Sequence, residues 1–146
     1  MKKISKQLIL FINASKKNKL DVFLINKARI IKKISQAGDY KLSACLLSLI
    51  EKILRRHKVS PRQLAGIIAV TGPGSFTSLR ISVSVANTLA YALQIPIVGI
   101  INKNGLAAAD DEALVEYGLS KIDKSRVFKY ISPFYDRAPN ITVAKK

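Results

Sequence analysis

The chain has 146 residues, enough for one domain with its own core, and 49% of them are hydrophobic. Its charge is lopsided: 25 Lys plus Arg stand against 9 Asp plus Glu, a formal +16 at pH 7. Cys45 and His57 are the only residues of their types, which excludes a disulfide, a Cys/His metal cluster and a two-histidine zinc site.

Taken in order, Gln7 to Ile12 is a short apolar run rich in β-branched residues and reads as a central strand. After a polar turn over residues 13–19, Leu20 to Ile25 and Ala28 to Ile34 read as two further strands joined through Asn26-Lys27, an antiparallel meander, with a loop from Ser35 to Asp39. From Tyr40 the period changes. Leu42, Leu46, Leu49, Ile50 and Ile53 recur at spacings of three and four and predict an amphipathic helix over 40–57, its face widened by Leu47 and Leu54. Cys45 lies in this apolar pattern, and His57 stands with Arg55, Arg56 and Lys58 where positive charge suits a helix C-terminus. Ser60-Pro61-Arg62-Gln63 carries a capping serine before Pro at the first helical position.

The stretch 66–101 organises the chain: a buried strand (Gly66 to Val70), the turn Gly72-Pro73-Gly74-Ser75, a helix from about Ser75 to Leu93 and a second strand (Ile95 to Ile101). Strand, helix and strand in that order predict two parallel neighbours in a covered sheet. Beyond Asn102-Lys103-Asn104-Gly105, Leu106 to Ala109 and, more firmly, Glu112 to Ile122 are helical, and Val127 to Ile131 reads as an edge strand. The opening Met1-Lys2-Lys3 followed by Leu8 to Ile12 is too short for a signal peptide. Ser82, Ser84, Asn87, Gln94 and Pro96 interrupt what would otherwise be a membrane span over 81–101, so the sequence reads as cytoplasmic with no membrane partner.

Three features bear on chemistry. A glycine turn before a helix either cradles an anion on free N–H groups or simply reverses the chain; here there is no Walker lysine, and Pro73 removes one donor. No acidic residue falls at the end of a predicted central strand, and Asp110-Asp111-Glu112 reads as the first turn of a helix, so no catalytic or metal-binding residues are assigned. The helix over 75–93 is apolar nearly all round: Phe76, Leu79, Val83, Ala86, Ala90 and Leu93 mark one face, and Ile81, Val85, Leu89 and Ala92 mark others. Its extra cover comes either from this chain or from a second protein, which the small residues Ser78, Ser82, Ala86 and Ala90 would let approach closely. The cations favour a polyanion, nucleic acid first, or act as a solvated shell; with few aromatic residues and no Trp, no stacking platform is expected.

Gly72-Pro73-Gly74-Ser75-Phe76-Thr77-Ser78-Leu79-Arg80-Ile81 resembles the GPGSFTGLRIG signature of the TsaB (YeaZ) family, which takes part in tRNA threonylcarbamoyladenosine biosynthesis. Ser60-Pro61-Arg62-Gln63-Leu64, Ile95-Pro96-Ile97-Val98-Gly99 and the tail Pro133 to Thr142 are similar to the family's flanks and its PxYxRxPxIT ending. The resemblance implies an α/β fold, an actin-like ATPase (ASKHA, ribonuclease H-like) lobe with a mixed sheet over 1–101. It further implies that 102–146 is a shortened remnant of the second lobe and the tail, most of that lobe being missing. It implies a non-catalytic partner of TsaD, binding no cofactor by itself while partner subunits use ATP. A TsaE-like ATPase and tRNA would be met through the complex, and a homodimer is open to the chain when alone.

Pairing in the family is through two helices from each protein. These map here to 40–57 and 75–93, giving a partner interface of Leu42, Leu46, Leu49, Ile53, Ser78, Leu79, Ser82, Val83 and Ala86. Three departures stand out: Asn13-Ala14-Ser15 replaces the family's Asp-Thr-Ser, Ser78 and Ser82 replace signature glycines, and only residues 102–132 lie where the family carries much of its second lobe. Two other functions compete, a small nucleotide-binding enzyme using the Gly72–Ser75 turn and a basic tRNA-binding module.

Overall fold

The computed structural model describes residues 8–38, 42–102, 110–122 and 128–135. Strands β1 (Leu8–Asn13), β2 (Lys19–Asn26) and β3 (Arg29–Ala37) form an antiparallel meander. Strands β4 (Leu64–Gly72) and β5 (Ile97–Ile101) add in parallel beside β1, so the sheet order is β3-β2-β1-β4-β5. This mixed sheet with its β4–helix–β5 crossover is one lobe of the actin-like, ribonuclease H-like arrangement that the resemblance implies. The continuous apolar runs of β1 and β4 are buried on both faces, as central strands covered on two sides must be. Strand β3 is one of the two edges of the sheet; only its Ile30 and Ile34 are half-buried, and its exposed Lys32 and Lys33 discourage pairing with another chain.

Helices α1 (Leu42–Arg56) and α2 (Phe76–Leu93) pack against each other on one face, α1 over β2 and β3 and α2 over β4, β1 and β5. Leu10, Ile12, Val22, Leu24, Ile67 and Ala69 of the strands meet Leu46, Leu49, Ile53, Ala86 and Ala90 of the helices there. Helix α3 (Asp111–Ile122) covers the other face, where Phe11, Phe23, Ile68, Val70 and Ile100 meet Leu114, Val115 and Ile122. The rings of Phe11 and Phe23 stack at 5.1 Å. Each such large apolar side chain, once fully buried, contributes roughly 1.5–3 kcal/mol. Of the residues grouped at 102–146 as a separate remnant, the described ones pack on this same sheet: α3 on one face, and residues 128–135 as a strap along α2.

Several boundaries differ from expectation for local reasons. The β2–β3 turn is Lys27-Ala28, both at positive φ (50° and 65°) as a two-residue turn between right-twisted strands requires, so Ala28 leaves the strand. Residues Ser35–Ala37, expected as loop, pair with Lys19–Asp21 and extend β3. Ser60 is the expected cap of a single 3-10 turn, Pro61–Gln63, before β4, and the Gln63 side chain completes a capping box by accepting from the Ser60 N–H at 2.7 Å. Pro96 delays β5 to Ile97. The proposed strand at Val127–Ile131 is not one over its described residues; Ile131 is held by the Asn87 side chain instead of a ladder. Tyr40, Leu106–Ala109 and the tail from Asp136 lie outside the described residues.

Candidate functional site: the glycine turn, the strand ends and the helix pair

The turn Gly72-Pro73-Gly74-Ser75 joins the carboxyl end of β4 to α2 through a cis Gly72–Pro73 peptide, with Gly72 at φ +150°. Ser75 caps α2, its hydroxyl accepting from the Ser78 N–H at 3.4 Å. Glycine is required twice by close approach. A Cβ on Gly72 would run into the Phe134 carbonyl, and one on Gly74 would stand 2.9 Å from the Ser15 carbonyl oxygen. The strap presses on the turn: the Phe134 N–H donates to the Thr71 carbonyl at 2.8 Å, and the Tyr135 ring meets Phe76 edge-on at 4.4 Å. Further back, the Asn87 amide donates to the Ile131 carbonyl (2.9 Å) and accepts from its N–H (3.0 Å). The concave side of the turn is thus lined by the chain's own backbone, and its glycines serve that packing.

Beside the turn, at the carboxyl end of β1, lies a group of charges that the sequence reading missed. No acid was expected at the end of a central strand, yet Asp21 pairs in register with Asn13, the last residue of β1, and is fully buried. One Asp21 oxygen accepts from the Ser35 hydroxyl at 2.6 Å and the other from the Lys16 ammonium at 2.9 Å. Lys16 also bonds Asp111 at 3.2 Å, and Lys33 bonds the other Asp111 oxygen at 2.6 Å. Asn13 turns its carbonyl oxygen to the Ser15 N–H (3.0 Å) and hydroxyl (2.6 Å). Burial pushes the Lys16 ammonium down, but Asp21 and Asp111 outweigh it and hold its pKa above the ordinary lysine value. Burial likewise pushes the Asp111 carboxyl up, and Lys33 and Lys16 outweigh that and hold it below the usual carboxylate range. Two ammonium groups, Lys16 and Lys33, therefore balance the two carboxylates. Among the described residues, no group of His, Cys, Asp and Glu is arranged to hold a metal ion. The clue in the sequence was one acid inside an apolar strand, Leu20-Asp21-Val22-Phe23.

The residues expected as a partner interface lie on α1 and α2. Leu46, Leu49, Ile53, Leu79, Ser82, Val83 and Ala86 are buried within the chain itself, and Ser78 is half-buried. The Ser82 hydroxyl donates to the Leu79 carbonyl of its own helix at 3.2 Å. These side chains face this chain's core because the period that marks an apolar stripe marks first the face a helix turns to its own sheet. Leu42 opens α1, but its side chain lies outside the described part. The outward surface consists of other residues: Thr77, Arg80, Ile81, Ser84 and Val85 line a groove of about 500 Å³ on α2, and Leu47 is 56% exposed on α1. Ile81, Val85 and Leu47 were legible as apolar positions outside the main stripes. No helix of the described residues is long and apolar enough to cross a membrane.

Residues 39–116, just over half of the chain, match the family described as TsaD, tRNA N6-adenosine threonylcarbamoyltransferase. The tRNA threonylcarbamoyladenosine biosynthesis protein TsaB of Buchnera aphidicola (subspecies Schizaphis graminum) is 32% identical over 83 residues, covering 57% of this chain and 40% of that protein. TsaB of Bacillus subtilis is 39% identical over 59 residues, 40% of this chain and 26% of its own. Among solved structures, YeaZ from Pseudomonas aeruginosa superposes with a TM-score of 0.60 at 25% identity, over 65% of this chain and 44% of that one. The chain spans less than half the length of these relatives.

Proposed function

The chain belongs to the TsaB (YeaZ) family, and from that premise we propose that it is a non-catalytic partner of a TsaD-like subunit in the complex that installs threonylcarbamoyl on the tRNA adenosine next to the anticodon. The observation that carries this reading is the helix pair. Helices α1 and α2 pack side by side on one sheet face, and α2 keeps a groove on its outer side in which apolar Ile81 and Val85 stand among Thr77, Arg80 and Ser84. A groove with an apolar floor and a polar rim, on a helix already seated on its own core, fits a second helix pair laid against it. Both oxygens of Asp21 are engaged and the turn is filled by Ser15 and Phe134, which supports a supporting subunit over a nucleotide-using enzyme. ATP would be used by partner subunits, with a TsaE-like ATPase and tRNA reached through the assembly, a homodimer as the partner-free form, and the cytoplasm as its compartment. Residues 1–101 would act as the lobe and 102–146 as what remains of the second.

The test is to mix the chain with TsaD from the same organism and measure the mass of the complex in solution. Ile81 and Val85 line the outer groove and also pack, half-buried, against the core, so Ile81→Arg and Val85→Glu are expected to lose the complex while unfolding at a lowered but measurable Tm, and the exposed Arg80→Glu and Ser84→Arg in the same groove are expected to lose it with the Tm unchanged. Leu79→Glu and Ser82→Arg would instead place charge in the core and report only on folding. Absence of a complex with the wild-type chain at micromolar concentration would overturn the reading.

A further inference from the structure

The register of the sheet brings the beginnings of β1, β4 and β5 and the β2–β3 turn to one end, since Leu8 pairs with both Asn26 and Leu64 and Ile67 pairs with Ile97. Helices α1 and α2 finish at that end, because each leads through a few residues into β4 or β5. Exposed cations follow the topology there: Lys27, Arg29, Arg55, Arg56, Lys58 and Arg62. Acids are fewer there: no Asp or Glu occurs between Glu51 and Asp110, Glu51 is paired with Arg55, and Asp111 is held by Lys16 at the opposite end, while Glu112 and Glu116 of α3 border a cavity with Ala28 and Arg29 on the other face of the sheet. Six of the cations that look scattered in the sequence are therefore gathered at this end by the fold.

Aromatic residues gather by the same topology. Tyr91 lies in the last turn of α2, and the strap brings Phe128 and Tyr130 against it. Phe128 meets Tyr91 at 5.7 Å and Tyr130 at 4.6 Å, edge-on in both cases, and packs against the core. The rings of Tyr91 and Tyr130 are nearly parallel, 16° apart with centroids 6.4 Å apart, and they remain 55% and 65% exposed. Exposed Lys129 stands between the two strap rings in the chain.

We propose that this end of the molecule binds single-stranded nucleic acid, with bases stacking on Tyr91 and Tyr130 and phosphates held by Lys129 and the cations around Lys58 and Arg62. Flat, exposed rings and a group of exposed cations are the two parts a single-strand site needs, a stacking surface and a phosphate track. A duplex offers no unstacked base to such rings, and a protein would need an acidic rim to match the cations. The site needs no partner subunit, so it stands or falls independently of the TsaD reading.

The experiment is fluorescence anisotropy with the full chain and three end-labelled probes: an RNA strand of about 16 nucleotides, DNA of the same sequence, and the RNA as a duplex. Binding of the single strands over the duplex is expected, the RNA and DNA arms telling which polymer is preferred. Tyr91→Ala and Tyr130→Ala should each weaken it roughly 5- to 150-fold, and Tyr130→Phe should keep most of it. Lys129→Gln should lower the slope of log affinity against log salt by about 1. Equal or tighter duplex binding, or alanine variants that bind like the wild type at unchanged Tm, would overturn the proposal. So would alanine variants that keep nucleic-acid binding and lose the TsaD complex, which would make the patch a protein-docking surface.

Discussion

Replacing Lys16 with Met tests the charge group at the carboxyl end of β1. In the wild type the Lys16 ammonium, 14% exposed, neutralises Asp21, whose side chain is fully buried, and shares Asp111 with Lys33. Without it, Asp21 keeps the Ser35 hydroxyl at 2.6 Å and Lys19 no nearer than 3.9 Å, so a buried carboxylate is left with little compensation. Breaking a buried pair from one side costs about 3 kcal/mol. For a chain of this length that is a fall in Tm of roughly 6 to 12 °C. The double variant Lys16→Met/Asp21→Asn leaves neither charge alone and should recover at least half of the loss.

The pH profile carries a second signature. The pKa of Lys16 is raised on folding, so its contribution is whole below about pH 10.4 and is lost as pH rises through the folded value. The pKa of Asp111 is lowered, so its contribution is whole above about pH 3.9 and is lost as pH falls through the folded value. Lys16→Met should remove the alkaline loss and keep part of the acid one, because Lys33 still holds Asp111. Urea unfolding across a pH series reads both. A Tm drop below about 3 °C, or a double variant no more stable than the single, would refute the reasoning.

Gly72→Ala should destabilise the chain by about 2 kcal/mol, since a Cβ at φ +150° meets the Phe134 carbonyl, and near-ultraviolet circular dichroism should report Tyr135 leaving Phe76. Asn87→Ala removes both bonds to Ile131; a loss of about 2 kcal/mol and faster hydrogen exchange of the Ile131 amide are expected. Ala28→Gly should stabilise by about 1 kcal/mol in thermal unfolding, because Ala28 holds φ 65° in the β2–β3 turn.

The lobe was legible in the sequence wherever burial repeats along a single element. The β-branched run of β1, the three-and-four spacing of α1 and the glycine turn between β4 and α2 each carry their own signal, and the elements formed where those signals lie. What was not legible depends on residues far apart in the chain. Asp21 reads as an odd acid in an apolar strand until register sets it against Asn13 and α3 brings Asp111 to the same lysine. Tyr91 and Tyr130 read as two of few aromatic residues until the strap runs beside α2. Along α1 and α2, hydrophobic period cannot tell a helix's own sheet from a partner's helix. The weaker apolar positions Ile81 and Val85 sit at the margin, half-buried against the core and open to the groove with Thr77, Arg80 and Ser84.

The two ends of the sheet are used in opposite ways. At the carboxyl ends of β1 and β4, the place where open α/β sheets commonly offer a crevice to ligands, the chain turns inward: Lys16 supplies positive charge to Asp21 and Asp111, and Ser15 and Phe134 close on the glycines. Each such contact ties a distant segment to the centre of the sheet, so the same groups that fill the crevice hold α3 and the strap in place. The strap is what carries Tyr130 to Tyr91, and its hold on Asn87 and Thr71 fixes where those rings sit. Releasing the strap by Gly72→Ala or Asn87→Ala should therefore weaken single-strand binding at the far end of the molecule as well as stability. An anisotropy titration of Asn87→Ala at a temperature where it remains folded separates the two effects. If it binds like the wild type while Tyr130→Ala does not, the aromatic group is positioned by Phe128 and the core alone, and the coupling between the ends is absent.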